Sequence, residues 1–252
     1  MDTSTRDSLI AIWSKYFAGS ELPIAFYYSK TERDSERVEP GSVPRCIIAA
    51  LKEVRNGRSL AFSVDSIGCA GGKRYVGFAS EIRPEFEYFL SCGIPGKVVG
   101  ERYKKSPELV KQAMEYMPPF PAPAPFIIFK RWDKLGEKDD PDVAIFFATP
   151  DVLSGLFTLA NYDEGEPNGV IAPFGSGCST IVQSPYLEKD SSRPRAVVGL
   201  FDPSARPFVS NNTLTFSVPM AKLSRMIGNA GESFLITNSW AVIQKRIAGK
   251  KG

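Results

Sequence analysis

A chain of 252 residues, 43% of them hydrophobic, can form one large domain or two small ones and needs no metal or disulfide staple to hold a core. Its 31 basic and 28 acidic residues leave a formal charge of +3, far from the concentrated positive field that grips phosphate backbones, so no nucleic-acid partner is expected. With no histidine, the chain lacks the commonest general base, the Ser-His and Cys-His nucleophile pairs and the imidazole ligands of most catalytic zinc sites.

The opening MDTSTRDSLIAIWSKYF has neither the basic start nor the continuous apolar stretch of a signal peptide, and no later segment approaches a membrane span; a cytoplasmic protein with no membrane partner is expected. From Ser4 to Gly19, Leu9, Ile10, Trp13, Tyr16 and Phe17 follow helical spacing. Ile24 to Ser29 reads as a strand, and the charged stretch up to Arg45 as a solvated loop. Cys46 to Arg55 is a helix that turns Ile47, Ala50, Leu51 and Val54 inward. Ser59 to Asp65 has strand character and runs into the turn Gly68-Cys69-Ala70-Gly71-Gly72, with further strands expected at Arg74 to Ala79 and Glu87 to Ser91. Ser106-Pro107-Glu108 starts a helix to Met117, since serine caps free amides and proline suits the first helical position. The stiff PPFPAPAP at 118–125 looks like a linker before the strand FIIFKRW.

After Asp142 the order restarts. VAIFFA (143–148) stands where IAFYYS stood, Thr149-Pro150-Asp151 opens a helix through Leu159, and Gly169 to Phe174 is a strand running into Gly175-Ser176-Gly177-Cys178. Ala196 to Phe201 is another strand, Pro219 to Ile227 a proline-started helix, and SFLITNSW lines up with PFIIFKRW. The expected fold is therefore α/β (α+β mixed): an internal duplication of a roughly 110-residue β-α-β-β-β-α-β unit, with mixed sheets flanked by helices. An N-terminal helix occupies 1–23, and the units are 24–135 and 142–252, separate or fused into one globular domain. The boundary falls in LGEKDDPD (135–142), leaving the proline stretch inside the first unit.

Packing about a pseudo-twofold axis brings equivalent parts together, and Cys69 and Cys178 are one such pair on this reading. Glycine beside cysteine lets a ligand approach, and backbone amides can hold a thiol as thiolate. Cys92, at a strand end, could reach the same sheet edge. Three thiolates would suit an iron-sulfur cluster or a soft metal, and two a redox pair, although C-x-x-C hairpins and ferredoxin-type runs are missing. Cysteines are also commonly small core residues, which is the plain reading of Cys46 on the apolar face of its helix. The same turns could instead cradle a small anionic metabolite or nucleotide through Gly68, Gly71, Gly72, Gly175, Ser176, Gly177, Ser179 and Thr180, with Lys73 and Arg74 supplying charge. The basic residues of GKVVGERYKKS (96–106) read as a solvated face, and the tail IQKRIAGKKG as a frayed end.

Together, Gly68-Cys69, Ser91-Cys92-Gly93 and Ala-Pro-Phe-Gly-Ser-Gly-Cys at 172–178 resemble the domain of unknown function 169 family of archaea and bacteria, from about Ile24 onward. The resemblance implies a cysteine-containing cytoplasmic protein without an established activity and points to Cys69, Cys92 and Cys178. Three functional classes follow: a ligand-binding or redox protein with a cysteine-lined site between the units, a binding module for a small anion, or a non-catalytic subunit or assembly factor.

Overall fold

The computed structural model describes residues 3–43 and 46–249. Residues 44 and 45, at the end of the charged loop, and 250–252, at the end of the basic tail, lie outside the described residues. The fold is a mixed α/β arrangement around a single eight-stranded sheet.

The strands are β1 (Ile24–Ser29), β2 (Glu36–Arg37), β3 (Leu60–Phe62), β4 (Phe126–Arg131), β5 (Val143–Ala148), β6 (Val170–Ile171), β7 (Ala196–Gly199) and β8 (Leu214–Pro219). Across the sheet they run β2-β3-β4-β1-β5-β8-β7-β6. Outward from the central β1/β5 pair, both sides therefore follow the same order. On each side the two inner pairings are antiparallel and the outermost is parallel, β2 with β3 and β6 with β7. At the centre β1 and β5 are antiparallel, with Ala25 opposite Ala144 and flanked by Ile24↔Ile145 and Phe26↔Val143.

Alternation along the strands builds one core on each face. On one face Ala25, Tyr27, Ile128, Ala144, Phe146, Phe216 and Val218 pack under α1 (Thr3–Tyr16), α6 (Pro150–Ala160), α8 (Met220–Asn229) and α9 (Asn238–Ile247). The N-terminal helix is part of this core: Trp13 stacks on Phe17 at 4.6 Å, and the Trp132 indole donates to the Arg6 carbonyl at 3.1 Å. The Trp240 indole donates to the Tyr16 carbonyl, which fixes α9 across the chain's start. On the other face Ile24, Phe26, Leu60, Phe62, Ile127, Phe129, Val143 and Ile145 pack under α2 (Ile47–Arg55) and the helical stretch 179–188. That stretch is a π-helical turn, Ser179–Gln183, running into α7, Ser184–Glu188. Each of these two helices links the parallel strand pair on its own side of the sheet.

Several sequence expectations are corrected. Arg74 to Ala79 is not a strand: α3 spans Ala70–Tyr75, and Gly77 then turns at φ +82° with no room for a side chain beside Phe120 and Ala122. Glu87 to Ser91 belongs to a helical turn, α4 (Phe86–Phe89), rather than to a strand. SFLITNSW is a short 3-10 turn, Phe234–Ile236, followed by α9, so it is no counterpart of β4. Likewise α5 (Pro107–Glu115) precedes β4 whereas α8 follows β8, so the two proline-started helices do not correspond. The basic tail is helical as far as Ile247.

Neither proposed linker is loose. In the proline stretch Phe120 is buried, the Ala122 amide donates to the Gly77 carbonyl at 2.8 Å, and Pro118 accepts from Gln183 at 2.8 Å. In LGEKDDPD, buried Asp139 accepts from Lys130 Nζ at 3.0 and 3.1 Å, from the Gly136 amide at 2.8 Å and from the Tyr27 hydroxyl. No helix among the described residues is long and apolar enough to cross a membrane.

Candidate ligand-binding site

The helix starts of the second core face converge beside a cavity of about 390 Å³. Cys46 and Cys69 hold the N-cap positions of α2 and α3, Cys178 is the helical residue just before the π-helical turn, and all three line this cavity. Gly177 is what lets the starts of the two crossover helices meet. A Cβ there would lie 2.9 Å from Ala205 Cβ and 3.2 Å from both Ile48 Cγ1 and Leu200 Cδ2. Leu200 is fully buried yet held at φ +65°, so the chain accepts local strain where β7 leaves the sheet below the cavity.

The π-helical turn has a local cause. The Ser176 carbonyl accepts from the Thr180 amide at 3.1 Å, from the Ser179 hydroxyl at 2.9 Å and from the Thr180 hydroxyl at 3.3 Å, and this crowding spreads the first turn. Beneath it the sheet carries Gly199, Thr215 and Ser217, and a Cβ at 199 would collide with the Thr180 hydroxyl. Small residues in β7 and β8 thus admit an irregular helix close to the sheet.

The opposite wall comes from α4 and α5. Phe86, Phe89, Leu90, Val110, Met114 and Met117 all line the cavity, yet only Val110 among them is fully buried. Ser106 caps α5 through the Leu109 amide at 3.4 Å, and Pro107 follows it. At the rim the Arg83 guanidinium lies 4.6 Å from the Phe89 ring centre and Lys104 Nζ 4.4 Å from that of Phe174. Two acidic residues, Glu101 and Asp202, share the rim with these cations.

Burial decides the protonation of the floor. It pushes the Cys178 thiol up to about 12, against the weaker effect of Ser176 Oγ at 3.6 Å, and pushes the Tyr75 hydroxyl up to about 12 as well. Both groups are neutral at physiological pH. Cys178 is therefore a protonated, inert thiol rather than a thiolate held by backbone amides. Amides of the second Gly-rich turn already have acceptors: Gly177 donates to Asp202 Oδ2 at 3.2 Å and Ser179 to Ser176 Oγ at 3.3 Å.

Of the residues singled out in the sequence, Cys69, Gly71, Gly72, Gly175, Ser176, Gly177 and Cys178 are brought to one cavity. Gly68, Lys73, Ser179 and Thr180 do not line it, nor does Arg74, which is buried and donates to the Ser80 and Met117 carbonyls. Cys92 does not line it either: this exposed thiol follows α4 and donates to its neighbour's carbonyl at 3.4 Å. Around it Ser91 and Gly93 have backbone roles. The buried Ser91 hydroxyl bonds the Glu87 carbonyl at 2.6 Å, and Gly93, at φ +77°, abuts Gly100 with no space for a Cβ. Among the described residues no group of three or more cysteine, aspartate or glutamate side chains is placed to hold a metal ion, so the three-thiolate cluster through Cys92 is not formed.

Cys46 is half-buried and packs against the core of its face, as its place on the helix suggested, but it also lines the cavity, a role sequence reasoning missed together with the whole α4–α5 wall. The signal for the wall was available: Phe86, Phe89 and Leu90 repeat at helical spacing just after Pro84. Lys104, expected on a solvated face, sits at the rim instead.

No curated protein and no solved structure matches the chain. A family model described as uncharacterised ArCR does match, over residues 15–229, so the chain belongs to the domain of unknown function 169 family.

Proposed function

We propose that this protein binds an apolar small molecule in the cavity walled by α4 and α5. The observation that carries this reading is the wall itself. Phe86, Phe89, Leu90, Met114 and Met117 are only half-buried, and they turn toward a space of about 390 Å³, a volume within the range of small-molecule pockets. Apolar surface left uncovered by the protein's own core gains by being covered with a ligand, at about 25 cal/mol per Å². An anionic ligand is less favoured, because Arg83 and Lys104 are balanced at the rim by Glu101 and Asp202.

Titration with the neutral, environment-sensitive dye Nile red tests the proposal. Wild-type protein should bind it with blue-shifted emission, and Ala113→Trp, which places an indole in the space, should weaken binding about tenfold or more while leaving the thermal melt nearly unchanged. Absence of binding to the folded wild type would overturn it.

We further infer that the two sides of the sheet descend from one duplicated unit. Support comes from the shared strand order, the matching parallel outer pairs and the crossover helices on one face, each with a cysteine at its start. On this reading Cys46 is the counterpart of Cys178, in place of Cys69, and the Ala25–Ala144 pair marks the pseudo-twofold axis. Superposing β1, β2, α2 and β3 on β5, β6, residues 179–188 and β7 should require a rotation near a half-turn; a rotation far from that would sink the inference.

A further inference from the structure

The chain has four cysteines and five methionines. Cys46, Cys69, Cys178, Met114 and Met117, more than half of these sulfurs, line the one cavity. The three thiols differ in access, with Cys178 buried, Cys46 half-buried and Cys69 exposed. Gly71 keeps Cys69 open: a Cβ at that position would sit 3.8 Å from Cys69 Sγ, so any larger side chain there would reach over the sulfur. An accessible thiol thus borders an apolar space whose remaining sulfurs are polarisable contacts suited to another sulfur or an aromatic ring.

Resting on the binding reading above, we propose that Cys69 is a thiol-exchange site for apolar low-molecular-weight disulfides that the cavity captures. The Cys69 thiolate attacks one sulfur of R–S–S–R, a Cys69–S–S–R bond forms, and the original S–S bond breaks. The other half leaves as RS⁻ and takes up the proton that Cys69 released to solvent. No net oxidation occurs, and any free thiol RSH reverses the step. Cys178 cannot take this role because it is buried and stays protonated beside Ser176. Cys92 is also exposed but off the cavity, which makes it a built-in control.

The test treats the reduced full-length chain with neutral dithiodipyridine and, separately, with dianionic dithiobis(nitrobenzoate), and follows each cysteine by peptide mass spectrometry. The neutral reagent should label Cys69 about tenfold or more faster than Cys92, the charged reagent should show no such preference, and Ala113→Trp should slow Cys69 alone. Equal rates at Cys69 and Cys92 with the neutral reagent, or indifference to Ala113→Trp, would overturn the proposal. If Nile red binds while Cys69 shows no preference, exchange fails and the binding reading stands. If Nile red does not bind, both fail, because any selectivity at Cys69 then has another source.

Discussion

Glu164 is the clearest place to test how burial and charge hold this fold together. Its side chain is 6% exposed and it accepts from Lys222 Nζ at 2.9 Å, Arg225 Nη2 at 2.7 Å and Arg193 Nε at 2.7 Å. Lys222, on α8, is 1% exposed, so this carboxylate neutralises a cation that has almost no contact with water. Glu164→Gln would strand that cation. Breaking a buried pair by removing one partner costs about 3–5 kcal/mol, and at this chain length each kcal/mol moves Tm by about 2–4 °C, so Tm should fall by roughly 6–20 °C. By contrast Arg225→Met removes a partner that is 45% exposed and should cost under about 1 kcal/mol. The pH dependence has a definite sign. The Lys222 bond holds Glu164 down at about 2 from an ordinary 4.5, so its contribution is complete above about pH 4.5 and lost as pH falls toward 2. Thermal melts of wild type and Glu164→Gln should therefore converge between about pH 5 and pH 2.5. A Glu164→Gln melt within about 1 kcal/mol of wild type at neutral pH, or a gap that stays constant into acid, would refute the reasoning.

Three further outcomes follow from close packing and from one half-buried acid. Gly155→Ala should destabilise by about 3 kcal/mol or more, because the new methyl collides with the Trp240 ring and comes within 2.9 Å of Phe17; chemical denaturation measures it, and a neutral result would mean that α6 and α9 slide apart freely. Gly177→Ala should cost about 1–3 kcal/mol and weaken Nile red binding, since its methyl pushes Ile48 and Ala205 at the cavity floor; unchanged dye affinity would separate the floor from the site. Burial pushes Asp142 up to about 6 from 3.8, so the folded state holds this proton more tightly than the unfolded chain and loses stability as pH rises through that window. Asp142→Asn should then stabilise by about 1–3 kcal/mol above about pH 6 and bring no gain below about pH 4, and an equal gain at both ends would exclude the titration.

The central strands and capped helices could be read from the chain because their signals are local. β1, β4 and β5 are continuous apolar runs buried on both faces, and Ser106-Pro107 and Thr149-Pro150 mark helix starts. β8 escaped because its inward side on the cavity face carries Thr215 and Ser217, small polar residues that are fully buried under a closely packed helix rather than exposed. α3 and α4 were misread because aromatic and β-branched residues in RYVGFA and FEYF imitate strands. In SFLITNSW the true signal was Ser233 and Thr237, whose hydroxyls cap two successive helical turns at Leu235 and Trp240. Of the site, the Gly-Cys turns were visible as residues, but their partners were not. Which cysteine faces which depends on the strand order β1-β4-β3-β2 against β5-β8-β7-β6, and no local spacing encodes that order.

That order also explains why the cavity lies where it does. Both crossover helices lie on one face of the sheet, so their starts, at Cys46 and Gly177-Cys178, come together at the one cavity. Residues 63–125, the long excursion between β3 and β4 that carries α3, α4 and α5, supply the cavity's opposite wall, whereas the connection between β7 and β8 is the short loop 200–213. The floor thus draws on both sides of the sheet, while the α4–α5 wall comes from one. This construction gives the cavity a buried inner end and an exposed rim, and it sets Cys69, carried on the excursion, apart from Cys46 and Cys178 at the starts of the crossover helices.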